Sequence, residues 1–243
     1  MTETPHARFN PRAQLRRVQF GGGAFCVVLD DALLDAESLR AYAIAEHARF
    51  VQAPFNAYPG IEMPMPPAFS AGVEDYFNRE VRSLLGGRRT LRMNTRLAMV
   101  TTDPARLEPR QRICHRDSAW VDPANTIAAS VLYLFEDAAL GGTAFFRPRH
   151  DAAVTDRLVH DSSTMATAAF DAKYPGIAHG YLQDSNAWFE RIGRVDAAWN
   201  RMIFYDGRLF LSGEVGPAPA RSGDPATGRL TLNGFFTCSR PVA

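Results

Sequence analysis

Lysine is almost absent from this chain. Lys173 is the only lysine, so the basic residues are nearly all arginine; they are interspersed with 26 acidic residues, and the formal net charge is +1. Domains that bind nucleic acids usually present a concentrated basic patch or a basic run, and the sequence contains neither. The charge pattern therefore predicts no nucleic-acid partner.

Cysteines and long apolar runs are also scarce. Cys26, Cys114 and Cys238 are widely spaced and odd in number, which fits neither a disulfide framework nor a structural zinc site. No stretch approaches the ~18 apolar residues of a membrane span, and residues 1–20 lack an apolar run of signal-peptide length. We expect a cytoplasmic protein with no membrane partner.

A chain of 243 residues with 46% apolar and 22% charged residues could form one large globular domain or two small ones. Because no linker divides it, we expect a single domain over residues 1–243. Asp35 can cap a helix, and Phe69, Val73, Phe77, Val81 and Leu84 have helical spacing up to Gly86 and Gly87. The sequence thus predicts N-terminal helices over about 33–86, with a proline-rich loop, "APFNAYPGIEMPMPP", between them.

Short strands dominate the rest of the chain. "LRMNTRLAMV" alternates between apolar and polar residues, and "TIAASVLYLF", "TAFFR", "RMIFYDG", "LFLSGEV" and "GRLTLNGFFTC" also have the character of strands. Residues at about 150–200 break this pattern and are predicted to be a helical and loop insertion. Helices followed by many short strands indicate an antiparallel sandwich or barrel with flanking helices.

The segment "ICHRDSAW" places His115 and Asp117 two positions apart. On a strand, residues i and i+2 point to the same face, so both side chains could bind one ion. Two imidazoles and one carboxylate hold ferrous iron on one face and leave positions open for a co-substrate and dioxygen. His115 and Asp117 could be two ligands of such a site, although such a pair alone is more often an ordinary surface feature.

Four motifs in order resemble one enzyme superfamily: His-x-Asp, "LYLFEDAALGGTAFF", "NRMIFYDGRLFLSG" and "GRLTLNGFF". The chain resembles the Fe(II)- and 2-oxoglutarate-dependent oxygenases of the prolyl-hydroxylase-like branch, and in particular an uncharacterised bacterial family within it. The resemblance implies a mainly β fold with flanking helices, the double-stranded β-helix or jelly roll. It also implies a dioxygenase that uses Fe(II) and 2-oxoglutarate to hydroxylate a small molecule or a peptide.

The resemblance also implies roles for individual residues. His115 and Asp117 would hold the iron, while Arg229 and Thr231 would bind the far carboxylate of 2-oxoglutarate, as an arginine fork does. Tyr133 would donate to the same acid, and Asn94 is a weaker candidate for lining the pocket. Arg229 could instead be a solvent-facing arginine, and Tyr133 a core aromatic residue.

The third iron ligand departs from the pattern. In the branch that this chain resembles, a histidine follows an aromatic residue by six positions, but six positions after Tyr205 stands Leu211, which cannot bind a metal. Three explanations remain open. The protein could have lost strong iron binding; His160 or His179 from the insertion could replace the ligand; or His115 and Asp117 with the chelating co-substrate could suffice.

A different class of function is a binding or scaffold protein without catalysis on the same fold. A cupin-type metal site is disfavoured because the sequence shows no closely spaced histidine cluster. The insertion contains Trp188 and Trp199, which could cover a contact in a homodimer.

Overall fold

Two antiparallel β-sheets form the body of the protein. The computed structural model describes residues 5–52, 57–117, 122, 124–216 and 221–240. Within these residues the strands are β1 Leu15–Gln19, β2 Phe25–Leu29, β3 Val51–Gln52, β4 Gly60–Pro64, β5 Arg89–Val100, β6 Asn125–Tyr133, β7 Thr143–Pro148, β8 Phe189–Val195, β9 Met202–Asp206, β10 Phe210–Gly213 and β11 Leu230–Ser239.

The strand order identifies the fold. The large sheet runs β1-β2-β9-β6-β11-β5-β4-β3, and the small sheet runs β10-β7-β8. A bridge between His115 and Leu211 adds the segment around His115 to the small sheet, next to β10. From β5 onward the chain therefore visits the large, small, large, small, small, large, small and large sheets in turn, which is the winding of a double-stranded β-helix. The predicted fold class is confirmed.

Four α-helices accompany the sheets within the described residues. They are α1 Ala36–Ala45, α2 Pro67–Tyr76, α3 Ala152–Thr164 and α4 Thr167–Lys173. The predicted cap of α1 is confirmed, because Asp35 Oδ1 accepts a hydrogen bond from the Ser38 backbone N–H at 3.3 Å. After α2 the chain continues as a π-helical turn and then a 3₁₀ turn as far as Gly86. The φ of Gly86 is 75°, the left-handed conformation that commonly ends helices. No described helix has the length and apolarity required to cross a membrane.

The N-terminal helices pack on the outer face of the large sheet. Phe77, which follows α2, is fully buried and stacks on Phe236 of β11, with ring centroids 3.9 Å apart. The predicted alternation of β5 is confirmed by Leu97 and Met99, which are buried in this same apolar cluster. The opposite face of the large sheet is left to face the small sheet.

Two sequence predictions of loop structure were wrong. Residues 189–195, placed in the insertion, form β8, which pairs with β7 in the small sheet. Because β8 is an edge strand that carries Glu190, Arg191 and Arg194, its apolar pattern is weak. Residues 60–64 form β4, which pairs with β5 although prolines flank it; residues 53–56 of that predicted loop lie outside the described residues.

The insertion is thus helical only in α3 and α4, followed by a loop as far as residue 188. Trp188 packs edge-on against Tyr174, with ring centroids 5.3 Å apart. Trp199 lies under the guanidinium of Arg40, 4.6 Å from its ring centroid. Both tryptophans are half-buried within their own chain, and the homodimer stays a prediction.

Candidate functional site

A cavity of about 360 Å³ lies between the inner faces of the two sheets. Its walls bring together His115, Asp117, Leu211, Arg229 and Thr231. These residues come from three separate parts of the chain, 115–117, 211 and 229–231, and the winding of the chain between the sheets places them on one internal surface. The size of the cavity is in the usual range of small-molecule sites, about 300–1,000 Å³.

His115 and Asp117 face the cavity as a pair. His115 Nε2 lies 3.6 Å from Asp117 Oδ1; the histidine side chain is 58% exposed and that of Asp117 only 9%. The Tyr205 hydroxyl donates a hydrogen bond to Asp117 Oδ2 at 3.1 Å. Burial raises the pKa of Tyr205 well above its ordinary value, and the neighbouring Asp117 carboxylate raises this pKa further. The phenol therefore stays protonated and holds the carboxylate in place.

Leu211 lies directly opposite His115. The two residues exchange backbone hydrogen bonds, His115 N to Leu211 O at 3.0 Å and Leu211 N to His115 O at 2.9 Å. The leucine side chain is buried, lines the cavity and packs in the apolar cluster that includes Phe145 and Tyr205. In the part of the chain that the structure describes, no three His, Cys, Asp or Glu side chains form a group that could hold a metal ion.

Arg229, immediately before β11, places a cation inside the protein. Its Nε donates to the Gly141 carbonyl at 3.0 Å and its Nη2 to the Gly142 carbonyl at 2.8 Å, and the residue is only 4% exposed. Gly141 has φ 100°, and a Cβ there would lie 1.6 Å from the Glu214 carbonyl oxygen, so the turn requires glycine. Among the described residues no carboxylate forms an ion pair with Arg229. The guanidinium is therefore oriented but not neutralised.

Thr231 and Tyr133 occupy different positions relative to the cavity. Thr231 lines the cavity, and its hydroxyl donates to the Ala98 carbonyl at 3.3 Å. Tyr133 is fully buried behind the wall, with its hydroxyl 2.8 Å from Thr143 Oγ1, and Thr143 is the residue that reaches the cavity. Burial raises the pKa of Tyr133 to about 12. Tyr133 is thus placed to act on a ligand through Thr143.

The placement of Asn94 in this pocket was wrong. Asn94 is exposed and lines a separate groove of about 420 Å³ between α2 and the start of β5. The polar face of β5 reaches the central cavity only from Arg96 onward, because Asn94 lies nearer the free end of the strand.

His179 is not brought to the cavity wall either. Its Nδ1 lies 3.1 Å from Arg112 Nη1, and its Nε2 lies 3.5 Å from Asp171 Oδ2. The completely buried guanidinium of Arg112 holds both partners there, with Asp171 Oδ1 2.5 Å from Arg112 Nη2. His160 is exposed on α3 and does not line the cavity.

Sequence reasoning missed several cavity residues. Arg96 stands on the inner face of β5, and Val159, Ser162 and Ser163 of α3 form a wall contributed by the insertion. The alternation of β5 contained the signal for Arg96, which shares the polar face with Asn94. The contact between Tyr205 and Asp117 had no sequence signal, because it joins residues 88 positions apart.

The chain has low-identity similarity to several solved structures. HygX from Streptomyces hygroscopicus, solved with nickel and 2-oxoglutarate bound, is 12% identical, with coverage of 88% of this chain and 82% of that chain, at a TM-score of 0.48. EvdO2 from Micromonospora carbonacea var. aurantiaca is 11% identical, with coverage of 90% and 88% and a TM-score of 0.45. An oxidoreductase of the 2OG-Fe(II) oxygenase family from Burkholderia pseudomallei is 11% identical, with coverage of 88% and 84% and a TM-score of 0.41.

No curated protein matches the chain. The model of a family of unknown function, DUF6445, matches residues 11–236, which is nearly the whole chain. This chain therefore belongs to the DUF6445 family.

Proposed function

We propose that this protein binds 2-oxoglutarate or a similar dicarboxylate in an oxygenase-type cavity, and that its iron site has lost one protein ligand. Its descent from the prolyl-hydroxylase-like branch, its cytoplasmic location and an organic substrate that is a small molecule or a peptide side chain are parts of the same proposal. The branch and the substrate class rest on the sequence motifs around His115, Asp117 and Arg229, and the cytoplasmic location rests on the scarcity of cysteines and long apolar runs in the sequence.

The unneutralised guanidinium of Arg229 is the observation that carries the proposal. Burying a charge without a partner is costly, and a ligand carboxylate would supply the missing partner. Two of its nitrogens are held by the Gly141 and Gly142 carbonyls, which fixes the plane of the fork, and Nη1 has no hydrogen-bond partner among the described residues. Thr231 lines the same cavity, and its hydroxyl would have to turn away from the Ala98 carbonyl to donate to a ligand.

The metal site does not fit a tightly held iron ion. His115 and Asp117 provide two donors on one wall, and we infer that Leu211 occupies the place of the third. A leucine side chain has no lone pair, and among the described residues no histidine, cysteine or acid completes the set. A change in a residue that only supports a metal ligand weakens binding by about 10–100-fold, so loss of a direct ligand should weaken it further.

A second candidate is an oxygenase that works with weakly held iron. The observation in its favour is that the imidazole and the carboxylate of the His115–Asp117 pair both face the cavity that contains Arg229. Under this candidate the two protein ligands and the chelating co-substrate together would suffice.

Anaerobic Fe(II) titration, with and without 2-oxoglutarate, tests the proposal. We expect the native protein to bind 2-oxoglutarate without retaining stoichiometric iron, and Leu211→His to bind iron at least ~100-fold more tightly. Leu209→His is the matched control, because it adds a histidine two residues away that does not face His115 across the bridge, and it should leave iron binding unchanged.

Other outcomes would contradict the proposal. Tight, stoichiometric iron in the native protein that disappears in His115→Ala would mean that strong iron binding has not been lost, and iron that disappears in His179→Ala would mean that the insertion supplies the ligand. Iron that is held weakly and only in the presence of 2-oxoglutarate would favour the second candidate. Failure of the native protein to bind 2-oxoglutarate would remove the role of Arg229.

A further inference from the structure

Arg96 is a second arginine held rigidly inside the same cavity. Its Nε lies 2.8 Å from Glu62 Oε1, and the Glu62 side chain is only 5% exposed. Its guanidinium carbon lies 4.5 Å from the centroid of the Phe235 ring. An arginine held by a carboxylate on one side and an aromatic face on another is preorganised, so less entropy is lost when its outer nitrogens bind a ligand.

Arg96 and Arg229 lie at opposite ends of one inner surface. In the pairing of β11 with β5, Leu230 faces Met99 and Asn233 faces Arg96. Arg229 therefore lies about four residues along the strand direction from Arg96, a backbone separation of roughly 13 Å. Both long side chains point into the space between the sheets, so their charged ends can approach a single ligand from two directions.

Tyr58 lines the same cavity as both cations. Burial raises the pKa of the Tyr58 phenol above its ordinary value, and the positive charges of Arg229 and Arg96 oppose this rise.

The charges of the cavity favour an anion with two acidic ends. Asp117 is the only acidic side chain among the described residues that line it. The other two arginines of the lining, Arg110 and Arg116, pair with Glu108 and Asp156, whose side chains are each 59% exposed, so these two guanidinium groups are drawn towards the surface. The side chain of Glu62, the partner of Arg96, is only 5% exposed, and Arg229 pairs with no carboxylate among the described residues, so their guanidinium groups are held inside the cavity.

We propose that Arg229 and Arg96 bind the two ends of one linear dicarboxylate, and that this binding needs no metal ion. The inference rests on the proposed role of Arg229 and adds a partner for the second carboxylate, which a complete metal centre would otherwise hold. The ligand class is an open-chain diacid, with 2-oxoglutarate and glutarate as members.

Calorimetric titration in EDTA compares glutarate with valerate, a monocarboxylate of the same chain length. We expect the native protein to bind glutarate about tenfold or more tightly than valerate, because a charged group gains charge-assisted hydrogen bonds at Arg96. Arg96→Met should abolish this preference and leave the affinity for valerate unchanged. Arg110→Met, which removes another cavity arginine, should preserve the preference.

Arg96→Met also leaves the buried Glu62 carboxylate without that cation, so the double variant Glu62→Gln/Arg96→Met is measured beside it to keep the fold intact. Equal affinity for the two acids in the native protein would overturn the two-arginine proposal, as would a preference that survives in the double variant. Glutarate binding that appears only when Fe(II) replaces EDTA would overturn its metal independence. If neither acid binds, the role of Arg229 fails as well.

Discussion

A buried tyrosine beside a ligand site can stabilise the fold or contact the ligand directly, and the hydrogen bond between Tyr133 and Thr143 indicates the first role for Tyr133. The two hydroxyl oxygens lie 2.8 Å apart, and both residues are at most 2% exposed. Tyr133→Phe keeps the ring, including its edge-on contact with Phe135, and removes only the hydroxyl. The Thr143 hydroxyl then loses its partner in a buried position, and we expect the free energy of unfolding to fall by about 1–3 kcal/mol.

A double-mutant cycle tests the assignment. Thr143→Val should lower the free energy of unfolding by a similar amount, because it leaves the Tyr133 hydroxyl unpaired. The double variant removes both polar groups, so its loss should be smaller than the sum of the single losses by about 1 kcal/mol. Urea unfolding followed by circular dichroism measures all four proteins, provided that the urea dependence of the free energy is the same in each.

Ligand binding completes the test. Since Tyr133 lies behind the wall, Tyr133→Phe should change the affinity for glutarate by less than about threefold, well below the loss of a direct charge-assisted hydrogen bond. If the variant is as stable as the native protein and the single losses are additive, the hydrogen bond does not stabilise the fold. If its affinity for glutarate falls tenfold with stability unchanged, the tyrosine contacts the ligand directly.

Two further predictions concern stability. The Lys173 ammonium and the Tyr174 hydroxyl donate hydrogen bonds to the carboxylate of Asp161, and these bonds lower the pKa of Asp161 below its ordinary value. Their stabilising effect is therefore present above about pH 4 and is lost as the pH falls through the lowered pKa. The free energy of unfolding in urea should differ between Asp161→Asn and the native protein at pH 6 and become equal in acid; a difference that does not change with pH would contradict the assignment. Phe77→Ala should lower the free energy of unfolding by about 3–5 kcal/mol, because the ring is fully buried against Phe236. Leu84 is 42% exposed, so Leu84→Ala should change the free energy of unfolding by less than about 0.5 kcal/mol. Equal losses in the two variants would refute the assignment of Phe77 to the core.

Much of the fold could be predicted because its signals are local. The Asp35 cap, the left-handed Gly86 and the alternation of β5 each depend on a few neighbouring residues, and each is confirmed. Strand β8 could not be predicted in this way, because it is an edge strand whose charged residues interrupt the alternation of apolar and polar positions. Strand β4 was hidden by the prolines around it.

The site was predictable only where a motif fixed it. His115, Asp117, Arg229 and Thr231 lie on one cavity, as the resemblance implied. Long-range side-chain contacts carried no such signal. The buried guanidinium of Arg112, which is 67 positions from His179 in the sequence, holds His179 on a different surface. Asn94 was expected to line the cavity because alternation places it on the same face of β5 as Arg96. Alternation predicts the face of a strand but not how far along the strand the cavity extends.

The bridge between His115 and Leu211 does not depend on the side chain at position 211. Both hydrogen bonds of the bridge join backbone N–H and C=O groups, so the sheet is indifferent to the side chain at position 211. A leucine there adds apolar contact inside the cavity, whereas a histidine ring without a metal would bury polar nitrogens that need partners. Arg229 has no such freedom, because its nitrogens bind the Gly141 and Gly142 carbonyls of the opposite sheet's turn. The proposed loss of a metal ligand is therefore compatible with a stable fold, whereas the position of Arg229, the proposed anion-binding residue, is fixed by the architecture itself.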